Sequence, residues 1–238
     1  MGLKDEVGAE IDGTLNQPWD DRDGNVVPET EDVALAGGAV RLSATMLYSD
    51  LADSTELSTS FDRRIAAKVI KAFLGASSRI IRANKGYIRS FDGDRVMAVF
   101  LGTTKNTNAA KTALKINWAV LNLLKPKVEA RYPSLGQGGY VLRHCVGVDT
   151  SDVLAVRAGI RASNDLVWVG RSPNVAAKLS AARQTPYHSY VTSSVYDVLM
   201  DEAKVGGTPP RAMWESCTFK PAPDVNTVYR SSWTWVLD

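Results

Sequence analysis

The chain has 238 residues, 45% hydrophobic and 23% charged, with a formal net charge of +2. This is ordinary globular composition at a length that suits one large domain or a domain with an extension. The balance is too weakly basic for a nucleic-acid footprint, and no 18-residue apolar run or signal-peptide pattern is present, so the expectation is a cytoplasmic protein engaging neither nucleic acid nor membrane.

Residues 1–38 carry many acids, few large apolar residues and the turn pairs Asp12-Gly13 and Asp23-Gly24. They predict an N-terminal extension without sustained periodicity, ahead of a domain over 39–238. Ala39 to Tyr48 alternates as a strand feeding Asp50. Phe61 to Asn84 places Ile65, Val69, Ile70, Phe73, Leu74, Ile80 and Ile81 at helical spacing, and Gly86 supplies a stop. Asp92-Gly93 marks a hairpin with Val96 to Phe100 as its second strand and Asp94 at its mouth. Strand, helix and hairpin make a ferredoxin-like opening, and the expected fold is α+β with a βαββαβ core.

Asn106 to Arg131 is helical by the same test, kinked or shortened at Pro126. Val141 to Val156 reads as two strands about a turn at Asp149–Asp152. Asn174 to Arg183 reads as a helix with Pro173 near its start, where a missing N–H costs nothing, and Asn174 and Lys178 share one face of it. A strand at Ser189–Thr192, a helix from Ser194 to Lys204 and strands near Trp214–Phe219 and Asn226–Trp235 complete the chain. Cys145, in an apolar run, predicts a buried free thiol. His144 and His188 lack ligand partners at metal spacing and read as structural.

Asp50 and Asp94 each stand where a strand ends. On neighbouring strands they can converge on a divalent cation, although an Asp in a turn also serves to cap backbone groups. Their contexts are Tyr48-Ser-Asp50-Leu-Ala-Asp-Ser-Thr55 and Gly93-Asp94-Arg-Val-Met97-Ala98-Val-Phe100, and a third block follows, Gly170-Arg-Ser-Pro-Asn174-Val-Ala176-Ala-Lys178-Leu179. In that order, over roughly Arg41 to Trp235, the blocks resemble the catalytic domain of the class III nucleotide cyclases. The family patterns are Phe-x-Asp-Ile-x-Gly-Phe-Thr, Gly-Asp-x-x-Met-Ala-x-Phe and Gly-x-x-Val-Asn-x-Ala-x-Arg-Leu.

The resemblance implies a homodimer with active sites across its interface and two divalent ions, Mn2+ or Mg2+, held by Asp50, Asp94 and the Leu51 carbonyl. It implies that Asn174 orients the ribose and that Lys178, replacing the family's Arg, meets the α-phosphate as a point charge without the bidentate fork. Arg161 and Lys220 resemble triphosphate contacts, the latter with Pro221 where glycine is expected. Asp53-Ser54 replaces the family's Gly-Phe in the loop after the first acid.

Adenylate cyclases of the family read adenine with a Lys and an Asp at the positions of Ser90 and Val167 here, and neither side chain can do that work. Arg89, moved into register by one extra residue in the turn, is the candidate base contact, with Ser90 beside it, while Trp168 or Tyr48 fills space a purine would take. Loss of the purine code resembles the pyrimidine cyclases of bacterial antiphage signalling. The expected activity is therefore conversion of UTP to cyclic UMP, a messenger read by a separate effector protein. Cytidylate cyclase, adenylate cyclase and a catalytically silent nucleotide-binding domain remain the alternatives.

Overall fold

The computed structural model describes residues 2–221, 225 and 227–237. In chain order its elements are α1 (Leu3–Asn16), β1 (Asp20–Asp23), β2 (Gly38–Leu51), α2 (Ser54–Ser60), α3 (Arg63–Ala83), β3 (Tyr87–Asp92) and β4 (Arg95–Phe100). Next come α4 (Lys105–Ala119), α5 (Lys125–Arg131), α6 (Pro133–Gln137), β5 (His144–Ile160), β6 (Ser163–Gly170), α7 (Arg171–Ser180), β7 (Ser189–Thr192) and α8 (Ser193–Tyr196). The short strands β8 (Val205–Gly206), β9 (Arg211–Ala212), β10 (Glu215–Cys217) and β11 (Val228–Ser231) follow.

One large sheet runs β10-β11-β7-β5-β2-β4-β3, with β6 paired to β5 and β1 to the start of β2. Within it β5-β2-β4-β3 is the antiparallel core of a ferredoxin-like fold, crossed by α3 and α4. Those helices cover one face, where Phe73, Ile81, Leu114 and Ile116 meet Leu47, Val96, Ala98, Val146 and Val148. The opposite face of β2 and β4 carries a second cluster, Leu42, Met46, Met97 and Val99. α3 starts at Asp62, whose carboxylate accepts the Arg64 N–H at 2.7 Å.

Several expectations change. Residues 3–16 form a helix, residues 20–23 pair in parallel with β2 as β1, and Val27 and Val33 are buried in the second cluster. Pro126 does not end its helix, because α4 passes through a π-helical turn at Val120–Leu124 into α5, a wider turn that accommodates the missing N–H. Val141 to Val156 is not two strands. β5 runs unbroken through Asp149–Asp152 because thirteen β2 residues from Ala39 to Leu51 pair with it and its polar residues have partners. The buried Asp149 accepts from Thr192 Oγ1 at 2.5 Å and from Arg171 at 3.1 Å, and Thr150 donates to the Ala44 carbonyl.

The helix expected over Ser194–Lys204 is only the single turn α8, since the Met200 N–H turns to Thr107 Oγ1 on α4. Of the last two strands β10 and β11 stand, and Asn226 lies outside the described residues. α7 lies directly on the sheet over Gly147, where a Cβ would meet the Ala176 carbonyl oxygen at 2.2 Å. No helix among the described residues is long and apolar enough to cross a membrane.

Candidate active site

Alternation along β2 selects the site-facing residues. Ser49 reaches Ser77 of α3 at 3.4 Å and Leu47 and Leu51 enter the core, so Met46, Tyr48 and Asp50 share the other face. Asp50 pairs in register with Arg95, which places Asp94 across from Leu51. Gly93, with φ of 60°, turns the two-residue loop that presents Asp94. The Ala52 N–H donates to the Arg143 carbonyl at 2.8 Å, so alternate β2 residues direct their backbone groups toward β5. Leu51, out of phase with them, directs its carbonyl toward β4 and Asp94.

Burial pushes the Asp50 carboxyl above the usual carboxylate range; a hydrogen bond from Arg183 pulls it back, and the Asp94 charge pushes it up again. A carboxylate held at a cost beside a second one, with a carbonyl turned between them, is an oxygen donor set that fits a hard divalent ion. Among the described residues no group of three or more His, Cys, Asp or Glu side chains converges. The remaining ligand positions would fall to water and substrate phosphates, the usual mode for Mg2+ at phosphoryl-transfer sites.

Asp53 takes the left-handed conformation, φ 58°, that a glycine in its place would favour, and its carboxylate bonds Arg143 at 2.7 Å. The altered loop after Asp50 therefore keeps a turn of the glycine kind and anchors it by an ion pair.

Arg183 is the residue that sequence reasoning missed. It stands three residues beyond α7, its guanidinium held by the Ser180 and Ala182 carbonyls at 2.9 and 3.0 Å and by Asp50 at 2.7 Å. In the sequence it is only the arginine that closes the predicted helix Asn174 to Arg183, which in the structure ends at Ser180, and spacing cannot connect it to a strand 133 positions earlier. Arg183 also lines a cavity of about 570 Å3 together with Lys178 and Lys220. Three cationic side chains thus border one space, and one of them touches a metal-candidate acid.

α7, which carries Asn174 and Lys178 on its exposed face, is fastened at its start. Ser151 Oγ accepts the Ser172 N–H at 3.1 Å and meets Ser172 Oγ at 2.9 Å, while Arg171 reaches Asp149. Ser151 is therefore a cap for the start of α7 supplied from the neighbouring strand. Asn174 donates to the Gly170 carbonyl at 3.2 Å.

The base-reading side differs from expectation in detail. The extra residue lies within β3, not in the turn: pairing jumps from Ile88–Ala98 to Ser90–Met97, leaving Arg89 as a β-bulge. Its guanidinium bonds Glu29 at 3.1 Å and the side chain is only 11% exposed, so the candidate base contact stands in an ion pair with the N-terminal segment. Ser90 approaches Met97 Sδ at 3.6 Å. Trp168 packs with Tyr48 against the cluster containing Met97, whereas Val167, one residue earlier on β6, is exposed on the other side. Arg161 lies exposed at the tip of the β5-β6 hairpin, and no bond joins it to the Lys178, Arg183 and Lys220 group.

His144 and His188 stack at 5.0 Å. Burial holds the His144 imidazole well below its ordinary pKa, and both its ring nitrogens lack partners among the described residues. Cys145 is a buried free thiol whose pKa burial raises to about 12.

No protein-family model matches the sequence. The chain is 40% identical to a uridylate cyclase of Rhodovulum sp. (strain MB263) over 98% of its length and 97% of that protein's. It is 41% identical to one from Xanthomonas perforans over the whole of both chains, and 38% identical to one from Burkholderia cepacia, again over the whole of both. Among solved structures, a bacterial light-regulated adenylyl cyclase superposes with a TM-score of 0.70 at 23% identity, over 84% of this chain and 54% of that longer one. The guanylyl cyclase Cya2 superposes at 0.66 with 18% identity, over 82% of this chain and 94% of the other. The adenylyl cyclase CyaB from P. aeruginosa gives 0.61 at 20% identity, over 81% and 95%.

Proposed function

The chain belongs to the uridylate cyclase family, and on that premise we propose that it converts UTP to 3′,5′-cyclic UMP and pyrophosphate, as a homodimer using two divalent ions, Mn2+ or Mg2+. The observation that supports the reading is the pair Asp50 and Asp94, whose charges are felt by one another at the end of β2, where the Leu51 carbonyl is directed toward β4. Cyclisation forms a bond from the ribose 3′-oxygen to the α-phosphorus and breaks the bond to pyrophosphate. It needs charge neutralised and atoms aligned more than covalent help.

Asp50, Asp94 and the Leu51 carbonyl would hold the ions, which when bound would lower the 3′-hydroxyl pKa and neutralise phosphate charge. Lys178 and Lys220 meet phosphate oxygens, Asn174 orients the ribose, and Arg161 reaches the triphosphate of a partner subunit from its hairpin tip. Arg183 holds the Asp50 carboxylate in the metal-free chain and turns to the phosphates once ions and substrate are bound.

For the base, Arg89 and Glu29 act as a pair. Uracil presents carbonyls and a ring N–H, and the pair offers guanidinium donors beside a carboxylate acceptor. Ser90 lies alongside, and Trp168 and Tyr48 limit the room for a purine. By the same family resemblance the product is a messenger of antiphage defence, read by a separate cyclic-nucleotide-responsive effector in the cytoplasm.

The test is to incubate the purified protein separately with each of the four ribonucleoside triphosphates and Mn2+, measuring pyrophosphate and identifying the cyclic product. UTP should turn over fastest, yielding cyclic UMP. Equal turnover of ATP and UTP would overturn the pyrimidine reading, a CTP preference would move it to cytidylate, and no pyrophosphate from any of the four would sink the catalytic reading.

A further inference from the structure

α1 buries none of its residues. Leu3, Val7, Ile11 and Leu15 recur every four positions and are between 48% and 78% exposed, an apolar stripe about 18 Å long with nothing packed on it. Asp5, Glu6, Glu10 and Asp12 flank the stripe, against a single Lys4. An apolar groove of about 500 Å3 lies elsewhere, between α3 and β3, floored by Ala67, Ile70, Leu74 and Phe91. Its floor from Ala67 to Ser78 runs about 17 Å along the helix, close to the length of the stripe. α3 contains six Lys or Arg and no acid, and neither Lys71 on the groove nor Arg82 has a carboxylate partner among the described residues. Length, apolarity and charge of stripe and groove are complementary.

The helix cannot lie in the groove of its own chain. Asp20 pairs with Gly38 and so tethers α1 at the start of β2. Phe91 pairs with Val96 and Val96 with Ser49, a level about 36 Å further along β2. The linker from Gln17 to Asp20 spans at most about 14 Å and the helix adds about 21 Å, so α1 at full stretch only approaches the near end. We propose that α1 docks its Leu3, Val7, Ile11 and Leu15 stripe into the α3-β3 groove of a second copy of this chain, the acidic flanks of one facing the basic rim of the other. A two-fold arrangement makes the contact twice and closes the assembly.

Cross-linking between differently marked chains tests this. One carries Ile11→Cys and the other Gly75→Cys, a position where a Cβ meets nothing within 4 Å; both carry Cys217→Ser, and Cys145 is buried. With a short bismaleimide, the mixture should give a covalent species of twice the chain mass that neither variant gives alone. Adding Val7→Glu to the first chain should reduce its yield at least fivefold. The proposal is overturned if no such species forms, if the yield survives Val7→Glu, or if a chain carrying both cysteines links only within itself. The readout is proximity rather than turnover, so its failure would leave the cyclase assignment standing, and loss of turnover would leave the contact standing.

Discussion

Asp50 and Asp94 should differ in what their removal costs the fold. Asp94→Ala relieves a repulsion felt by Asp50, whereas Asp50→Ala strands the Arg183 guanidinium on two backbone carbonyls. Thermal unfolding should show Asp94→Ala at or above the parent and Asp50→Ala lower by about 1 kcal/mol, a modest figure because the Arg183 side chain is 36% exposed. Both variants should lose cyclase turnover by at least ~100-fold, about 2.7 kcal/mol of barrier; activity within tenfold of the parent would refute the metal role. Arg183→Ala should lower kcat/KM about 10- to 100-fold while tightening Mn2+ binding, because the cation no longer occupies Asp50. Weaker Mn2+ binding in a titration would count against that account. These residues were unequally legible. The two acids are visible because strand ends and turns are local patterns, but Arg183 and Glu29 become site neighbours only through pairings across 133 and 60 positions.

His144 carries a pH prediction of definite sign. Its folded pKa lies well below 6.5, so as pH falls below 6.5 the unfolded chain takes a proton that the folded chain refuses, and stability drops by about 1.4 kcal/mol per pH unit. Asp50 and Asp149 act oppositely: their raised values make the folded form bind protons more readily as pH falls toward 3.8. His144→Leu should therefore flatten the loss of stability just below pH 6.5, and an unchanged slope in denaturant titrations at successive pH values would exclude His144 as its source.

At the scale of elements, the cap that Ser151 lends to α7 joins strand geometry to the substrate face. Ser151→Ala should cost about 1 kcal/mol of stability and lower kcat/KM severalfold, since Asn174 and Lys178 ride on the helix it anchors. A loss of stability with unchanged kinetics would make the cap purely structural. The same element shows why the sequence misleads around Asp149–Asp152. Four polar residues in a row imitate a turn, and only the pairing with β2, β7 and α7 reveals them as ladder and network members. β2, α3 and the hairpin were legible because each closes its pattern within its own length. The bulge at Arg89 was half legible: a register shift was foreseen, but its place is set by pairing with β4.

For the whole molecule, the reading of sites shared across a homodimer makes a quantitative prediction. Inactive Asp50→Ala and Asn174→Ala chains, mixed and allowed to exchange, should recover about a quarter of the parent activity, because half the dimers are mixed and each holds one intact site. Within one chain Arg183 already joins Asp50 to the Lys178 cavity, so failure to complement despite proven exchange would place the whole reaction inside a single subunit. The packing of residues 20–33 was less legible than the core: they are rich in acids and turns, yet two of their three valines, Val27 and Val33, close the second apolar cluster.

The close seating of α7 over Gly147 has a consequence for how this chain tolerates variation. A Cβ there meets backbone atoms of α7, the Ala176 oxygen at 2.2 Å and the Ser180 nitrogen at 2.5 Å, and backbone cannot swing aside as the end of a side chain can. In a saturation scan, position 147 should therefore accept one letter only, alanine included among the losses. The exposed Val167 and Val169 of β6 should accept nearly all. Intolerance in this family would then mark where a helix rests on a sheet as sharply as it marks chemistry.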